Sequence, residues 1–253
     1  HVAPVPDIYR DDSRDYQNEF ESIIKNANPI AGFIVETMLS CAGQIPFPEG
    51  YLAKSFESIR NIGGLCIADE VQVGFGRIGS HMWAFEEQGV VPDIVVMGKP
   101  IGNGHPMAAV FTTKEIAASF NEMEFFSTFG GNPVSCAIGM AVLDVIENDN
   151  LIEKSKVMGD LFIDGLTELK KRHKIIGDVR GKGLFLGIEL VKDHSSLEPA
   201  TKEAELLVEG MLSKNILLSI DGPRKNVIKI KPPMVISEDD VKRTILSLDK
   251  TFS

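Results

Sequence analysis

The sequence predicts an α/β fold with a mainly parallel sheet, followed by a smaller α+β region. Two observations carry this: short apolar runs alternate with helical patterns over the first hundred or so residues, and the pattern changes from about residue 175. A third is size, since 253 residues can bury one large core or two unequal ones. The expected division is 1–150 and 151–253.

The chain opens on His1 rather than Met, in a loop-like HVAPVPDIYR, and is expected to be a piece of a longer protein. Apolar runs at 32–35, 65–68, 94–97 and 108–112 predict buried strands, the first three carrying β-branched residues. Residues 51–61 and 81–88 read as helices between them, and 113–120 as one after the last strand. Gly130-Gly131-Asn132-Pro133 predicts a helix start, with Asn132 as N-cap and Pro133 at the first helical position. Val134, Ala137, Ile138, Ala141, Val142 and Val145 then share one helical face, predicting a stripe packed on the core. A second helix follows over 151–171. Beyond it come a glycine-rich turn at 179–183, a strand at 184–191 and a helix at 201–214. Strands at 216–219 and 227–230 precede a terminal helix from Glu238.

Composition narrows the function. Hydrophobic content of 43% and charged content of 25% are ordinary for a soluble globular protein. A net charge of −10 argues against a nucleic-acid partner. No apolar run is long enough to span a bilayer and no N-terminal signal pattern is read, so no membrane partner is expected. Cys41, Cys66 and Cys136 are few and unpatterned, which argues against a disulfide framework or a metal site and for a reducing cytoplasm.

In open α/β sheets, ligands bind beyond the carboxyl ends of the strands. The polar residues there are Glu36, then Asp69 with Glu70 and Gln72, then Lys99. A lysine directly after a buried strand holds a costly ammonium unless it is paired or its pKa falls. A lowered pKa is what an amine nucleophile needs, while the plain alternative is a strand-end lysine reaching water. Asp69 and Glu70 need a cationic partner for the same reason. A protonated ring nitrogen is one; an N-cap or an ion pair with Arg77 is the structural alternative. Ser127 and Thr128, with Gly130 and Gly131 before a helix, offer hydroxyls and flexible backbone to a phosphate, a weak signal by itself.

Together these stretches resemble the class-III aminotransferases, which depend on pyridoxal phosphate (PLP) and have fold type I. IADEVQVGFGRIG resembles the family's aspartate segment, which implies that Asp69 pairs with the pyridine nitrogen and Gln72 bonds the ring's phenolic oxygen. DIVVMGKPIGNGHPMAAV resembles the segment of the Schiff-base lysine, here Lys99. FFSTFGGNP resembles the segment whose threonine, here Thr128, reaches the PLP phosphate of a second subunit, so a homodimer is implied. GFIVETM resembles the strand ending in an active-site glutamate, here Glu36, and DVRGKGLFLGIEL the start of the small C-terminal domain.

Within the family, FIVETMLSCAGQ, MGKPIGNGHP and LLSIDGPRKNVIKIKPPM are most similar to the ethanolamine-phosphate phospho-lyases. Where many relatives hold an arginine for a substrate carboxylate, this chain has lysines, which lack arginine's bidentate fork. Arg224 and Lys229, with Lys225 and Lys231, are candidates for a substrate phosphate; a basic solvated loop is the alternative. The implied reaction acts on a small primary amine, with phosphate expelled from the adjacent carbon or, alternatively, the amino group transferred to a keto acid. The resemblance also implies that the Gly-Ser-rich phosphate loop, the aromatic residue stacked on the ring and several sheet strands lie before His1. Without them the sheet has an open apolar edge, and a non-catalytic chain keeping only the dimer surface is a further alternative.

Overall fold

The computed structural model describes residues 1–27 and 29–253. The elements of its first half are α1 (Tyr16–Asn26), β1 (Gly32–Glu36), α2 (Tyr51–Asn61), β2 (Leu65–Asp69), β3 (Ile94–Met97), α3 (Lys99–Gly102), β4 (Ala109–Thr112), α4 (Lys114–Phe120) and α5 (Pro133–Asn148). The second half holds α6 (Leu151–Arg172), β5 (Ile176–Lys182), β6 (Phe185–Asp193), β7 (Glu198–Pro199), α7 (Thr201–Leu212), β8 (Ser219–Asp221), β9 (Val227–Ile230) and α8 (Glu238–Phe252).

The first sheet has the order β1-β2-β3-β4, with β1, β2 and β3 parallel and β4 antiparallel to β3. Parallel neighbours need a crossover of about a dozen residues or more. The segment between β3 and β4 is taken up by α3 and a turn, so the chain comes straight back. Register sets Glu36 opposite Asp69, and Asp69 opposite Val96, so the carboxyl ends of the parallel strands are level. Leu52, Phe56 and Ile59 on one face of α2 are buried against Cys66, Ala68, Phe20 and Phe85. Phe20 comes from α1, a helix capped by the Asp15 carboxylate on Asn18 N. β1 is an edge strand, and its Ile34 is 62% exposed.

The second sheet is antiparallel, in the order β5-β6-β9-β8, with β7 beside β6. β6 is buried on both faces from Phe185 to Val191. With a period of two, Leu186, Ile188 and Leu190 face a core built with Phe162, Leu166 and Leu169 of α6, Leu207 of α7 and Val241 and Leu248 of α8. Phe185 faces the other way, into a cluster with Met38, Val73, Ile78 and Ala84 from the loops of the first sheet. Contact there is close. A Cβ on Gly183 (φ +52°) would lie 2.4 Å from the Ile78 carbonyl carbon, and one on Gly159 of α6 2.3 Å from Gly183 O.

Four expectations need correction. Residues 81–88 form a 3₁₀ turn only over Ala84–Gln88, because the buried Glu70 carboxylate takes Ala84 N and Phe85 N and starts the turn there. The region 179–183 is largely strand: β5 runs through Lys182, and the turn sits at Gly183 and Leu184. The strand expected at 216–219 begins at Ser219. The apolar stripe of α5 is not core, since only Gly139 and Ile146 of that helix are buried and Val134 is 65% exposed. Ile138, Ala141, Val142 and Val145 of this helix line an open cavity instead.

Candidate active site

That cavity, of ≈ 690 Å³, lies over the carboxyl end of β3 and is closed on one side by residues of the second sheet's edge. Lys99, Gln72, Phe75 and Arg77 line it from the first sheet, and Lys231, Pro233, Met234 and Val235 from the segment after β9. Lys99 begins α3 immediately after β3 and Gly98, so its stem leaves the sheet edge directly. It is exposed in this chain, which departs from the expected buried amine, and has no hydrogen bond or ion pair among the described residues. Asp69 ends β2; its Oδ1 accepts from Val71 N at 2.9 Å, and its other oxygen takes no partner among the described residues.

Gln72 stands at the centre of a chain of hydrogen bonds. Lys231 Nζ donates to Gln72 Oε1 at 2.6 Å, and Gln72 Nε2 donates to Ser40 Oγ at 3.0 Å. Ser40 Oγ donates to Glu36 Oε1 at 2.5 Å, while Ser40 N donates to Glu36 Oε2 at 2.8 Å. Donors run in one direction, from an amine to a carboxylate, so each bond polarises the next. The same loop reaches the second sheet through Gln44, whose Nε2 donates to Ser40 O at 2.9 Å and to Asp221 Oδ2 at 2.8 Å.

Electrostatics separate the lysines. Burial, followed by the charges of Arg77, Lys229 and Lys99, pulls the Lys231 ammonium down to about 7, with Glu36 opposing. Its Nζ also sits 5.4 Å from the centroid of the Phe185 ring. Burial lowers the Arg77 guanidinium to about 10, which leaves it protonated at neutral pH. Arg77 makes no ion pair with Asp69 or Glu70: its Nη1 donates to Leu184 O at 3.2 Å and Pro232 O at 2.8 Å. Glu70 is fully buried, and burial raises its carboxyl although Thr37 Oγ1 donates to it at 2.6 Å. Its role is to hold the 3₁₀ turn, so of the two neighbouring acids only Asp69 is free to meet a ligand.

The remaining candidates lie elsewhere. Thr128 sits in an exposed stretch before α5 and does not line the cavity. Lys229 is held by Asp221 at 2.8 Å, and Arg224 borders a different surface hollow beside Arg10 and Arg14. Lys231 is thus the basic residue of its segment that enters the cavity, two residues beyond Lys229 and just past the end of β9. Ser40, Gln44 and the cavity role of Arg77 carry no motif of their own in the sequence. Phe75 of the cavity wall packs edge-on against Trp83 behind it, with ring centroids 5.1 Å apart.

The two-sheet architecture is that of the fold-type-I, PLP-dependent transferases. Within them the chain belongs to the class-III aminotransferases, whose family model matches residues 1–252. It is 47% identical over 264 residues to an alanine–glyoxylate aminotransferase 2-like protein of Drosophila melanogaster, covering 97% of this chain and 53% of that one. It is 41% identical over 278 residues to ethanolamine-phosphate phospho-lyase homolog 1 of Caenorhabditis elegans, covering 100% of this chain and 60% of the relative. A phospholyase from Arthrobacter, solved with phosphoethanolamine, superposes with a TM-score of 0.87 at 37% identity, over 93% of this chain and 56% of that one. The chain therefore spans a little over half the length of these relatives.

Proposed function

We propose that this chain carries the lysine side of a PLP site and serves a phospho-lyase reaction on a small O-phosphorylated primary amine such as phosphoethanolamine. The observation that carries the reading is the meeting of Lys99, Asp69 and Gln72 on one sheet edge. The donor set fits the cofactor: an unpartnered amine for its carbonyl carbon, a carboxylate with a free oxygen for its ring nitrogen, and an amide for its phenolic oxygen. Bound PLP supplies an electron sink for the carbon next to the substrate amine. Lys99 would hold the cofactor through its Nζ, and the same amine would take the proton from that carbon. Asp69 would keep a proton on the ring nitrogen, and Gln72, fixed by Ser40, would bond the phenolic oxygen. Loss of phosphate then leaves a product that hydrolyses to an aldehyde and ammonia.

Thr128 is proposed to serve the partner subunit of a homodimer, a reading supported by the exposed Phe125, Phe126 and Phe129 around it (70%, 84% and 80%). The proposed division at residue 150 is supported by the break between α5 and α6. The three free cysteines favour a reducing compartment such as the cytoplasm, and no helix among the described residues is long and apolar enough to cross a membrane. A transaminase is the second reading, favoured by the identity to the Drosophila aminotransferase-like protein.

Incubation with PLP followed by borohydride reduction should add the cofactor's mass to the Lys99 peptide and nowhere else. Lys99→Ala should lose both the label and the visible absorption of the lysine-bound cofactor. No label in the parent chain overturns the cofactor reading. Phosphoethanolamine should release inorganic phosphate; amino transfer to a keto acid without that release would replace the lyase by the transaminase.

A further inference from the structure

The cavity beside Lys99 is lined by Lys99, Arg77 and Lys231, and by no aspartate or glutamate. Among the described residues, Lys231 Nζ has only a neutral amide as its hydrogen-bond partner. Arg77 spends one nitrogen, Nη1, on Leu184 O and Pro232 O, and its Nε and Nη2 have no partner among the described residues. Such a concentration of positive charge against apolar walls is unfavourable on its own, because buried charges are ordinarily paired. Two neighbouring cations with free N–H groups match a doubly charged tetrahedral anion, which accepts from both.

We propose that Lys231 and Arg77 form a receptor for a phosphate monoester dianion within this cavity. The inference rests on the reading above and deepens it by assigning the residues that would hold the substrate's phosphate. It also separates them from Lys229, which Asp221 already neutralises. The same dianion chemistry is carried by the cofactor's own phosphate, so the two sources are distinguished experimentally.

The charged groups facing Lys231 are Arg77, Lys229, Lys99 and Glu36, and together with burial they bring its ammonium to about 7. An incoming dianion restores the proton, so binding weakens as pH rises past neutrality. Sulfate is the cleaner probe of that effect, because its own charge does not change over the range.

The test is calorimetric titration of the parent chain, Lys231→Met and Lys231→Arg with inorganic phosphate and with sulfate. Circular dichroism confirms that each variant folds. The parent should bind both ions, and sulfate affinity should fall about tenfold or more between about pH 6.5 and 8.5. Lys231→Met should weaken phosphate about tenfold or more, and Lys231→Arg should recover most of it, with a flat pH response. Undiminished phosphate binding in folded Lys231→Met overturns the proposal. These titrations need no cofactor, so their result stands whether or not Lys99 takes a label.

A second arm assigns the source. If the dianion is the substrate's, Lys231→Met raises KM for phosphoethanolamine about tenfold and leaves PLP affinity within about twofold. A matching loss of PLP affinity assigns the receptor to the cofactor and overturns the substrate assignment.

Discussion

Ser40 is the residue on which the site's geometry turns. Its hydroxyl stands between Gln72 and Glu36, its amide holds the second Glu36 oxygen, and its carbonyl holds Gln44. Ser40→Ala deletes two bonds at a position only 1% exposed, so stability should fall by about 1–3 kcal/mol. Urea unfolding measures it. Lys231 gives the opposite sign. Its folded value lies below the ordinary 10.5, so the unfolded chain binds the proton more tightly from about 7 to 10.5. Lys231→Met should therefore raise the melting temperature fully below about pH 7, with the gain fading towards pH 10.5. A gain that grew with pH would contradict the assignment. At this scale the sequence was legible where a polar residue ends a strand, as with Asp69 and Lys99. Lys231 was one of several adjacent basic residues. Lys229 lies within β9 and is held by Asp221, whereas Lys231 follows the strand's last residue and enters the cavity, a difference that only the folded chain shows.

At the scale of elements, close approach through glycine joins the two sheets. Gly183 has a positive φ and no room for a Cβ against Ile78, while α6 reaches it through Gly159. Gly183→Ala combines left-handed strain with a backbone clash and should cost about 1–3 kcal/mol or more, read as a lowered denaturation midpoint. The parallel strands and α2 were readable from local apolar runs and helical spacing, but the expected burial was not met throughout: β1 and β3 are half-buried and β4 is largely exposed. The glycine-rich 179–183 misled because glycine usually marks turns. Here Gly181 lies within a strand, where a Cβ would lie 2.1 Å from Phe185 O. The α5 stripe misled for a different reason. Helical periodicity records that a face is apolar, not what covers it, and this one faces a cavity.

Across the whole molecule, one buried acid gathers two segments distant in sequence and the neighbouring strand. Glu189 of β6 receives Arg10 Nε at 2.7 Å, Arg180 Nη1 at 2.6 Å and Asn226 Nδ2 at 3.3 Å. Arg180 Nε in turn donates to Gly43 O, next to Gln44, at 2.8 Å. Burial pushes the Glu189 carboxyl up, but the Arg180 and Arg10 charges outweigh it and hold it below the usual 4.5. Its contribution is therefore present above pH 4.5 and lost as the pH falls through the lower folded value. Arg180→Ala leaves that acid with Arg10 as its one cation among the described residues and should cost about 1–3 kcal/mol at neutral pH, a loss that shrinks on acidification. Denaturant titration at two pH values checks it. No sequence pattern announces such a cluster, because Arg10 and Asn226 reach Glu189 from 179 and 37 residues away.

The edge-on pair of Phe75 and Trp83 has a practical consequence. Trp83 is the only tryptophan in the chain, and its ring touches the aromatic wall of the cavity. The unlabelled protein thus carries a single optical antenna beside its site. A ligand that absorbs near the indole emission should quench that light as it enters, with Lys99→Ala separating mere occupancy from covalent capture.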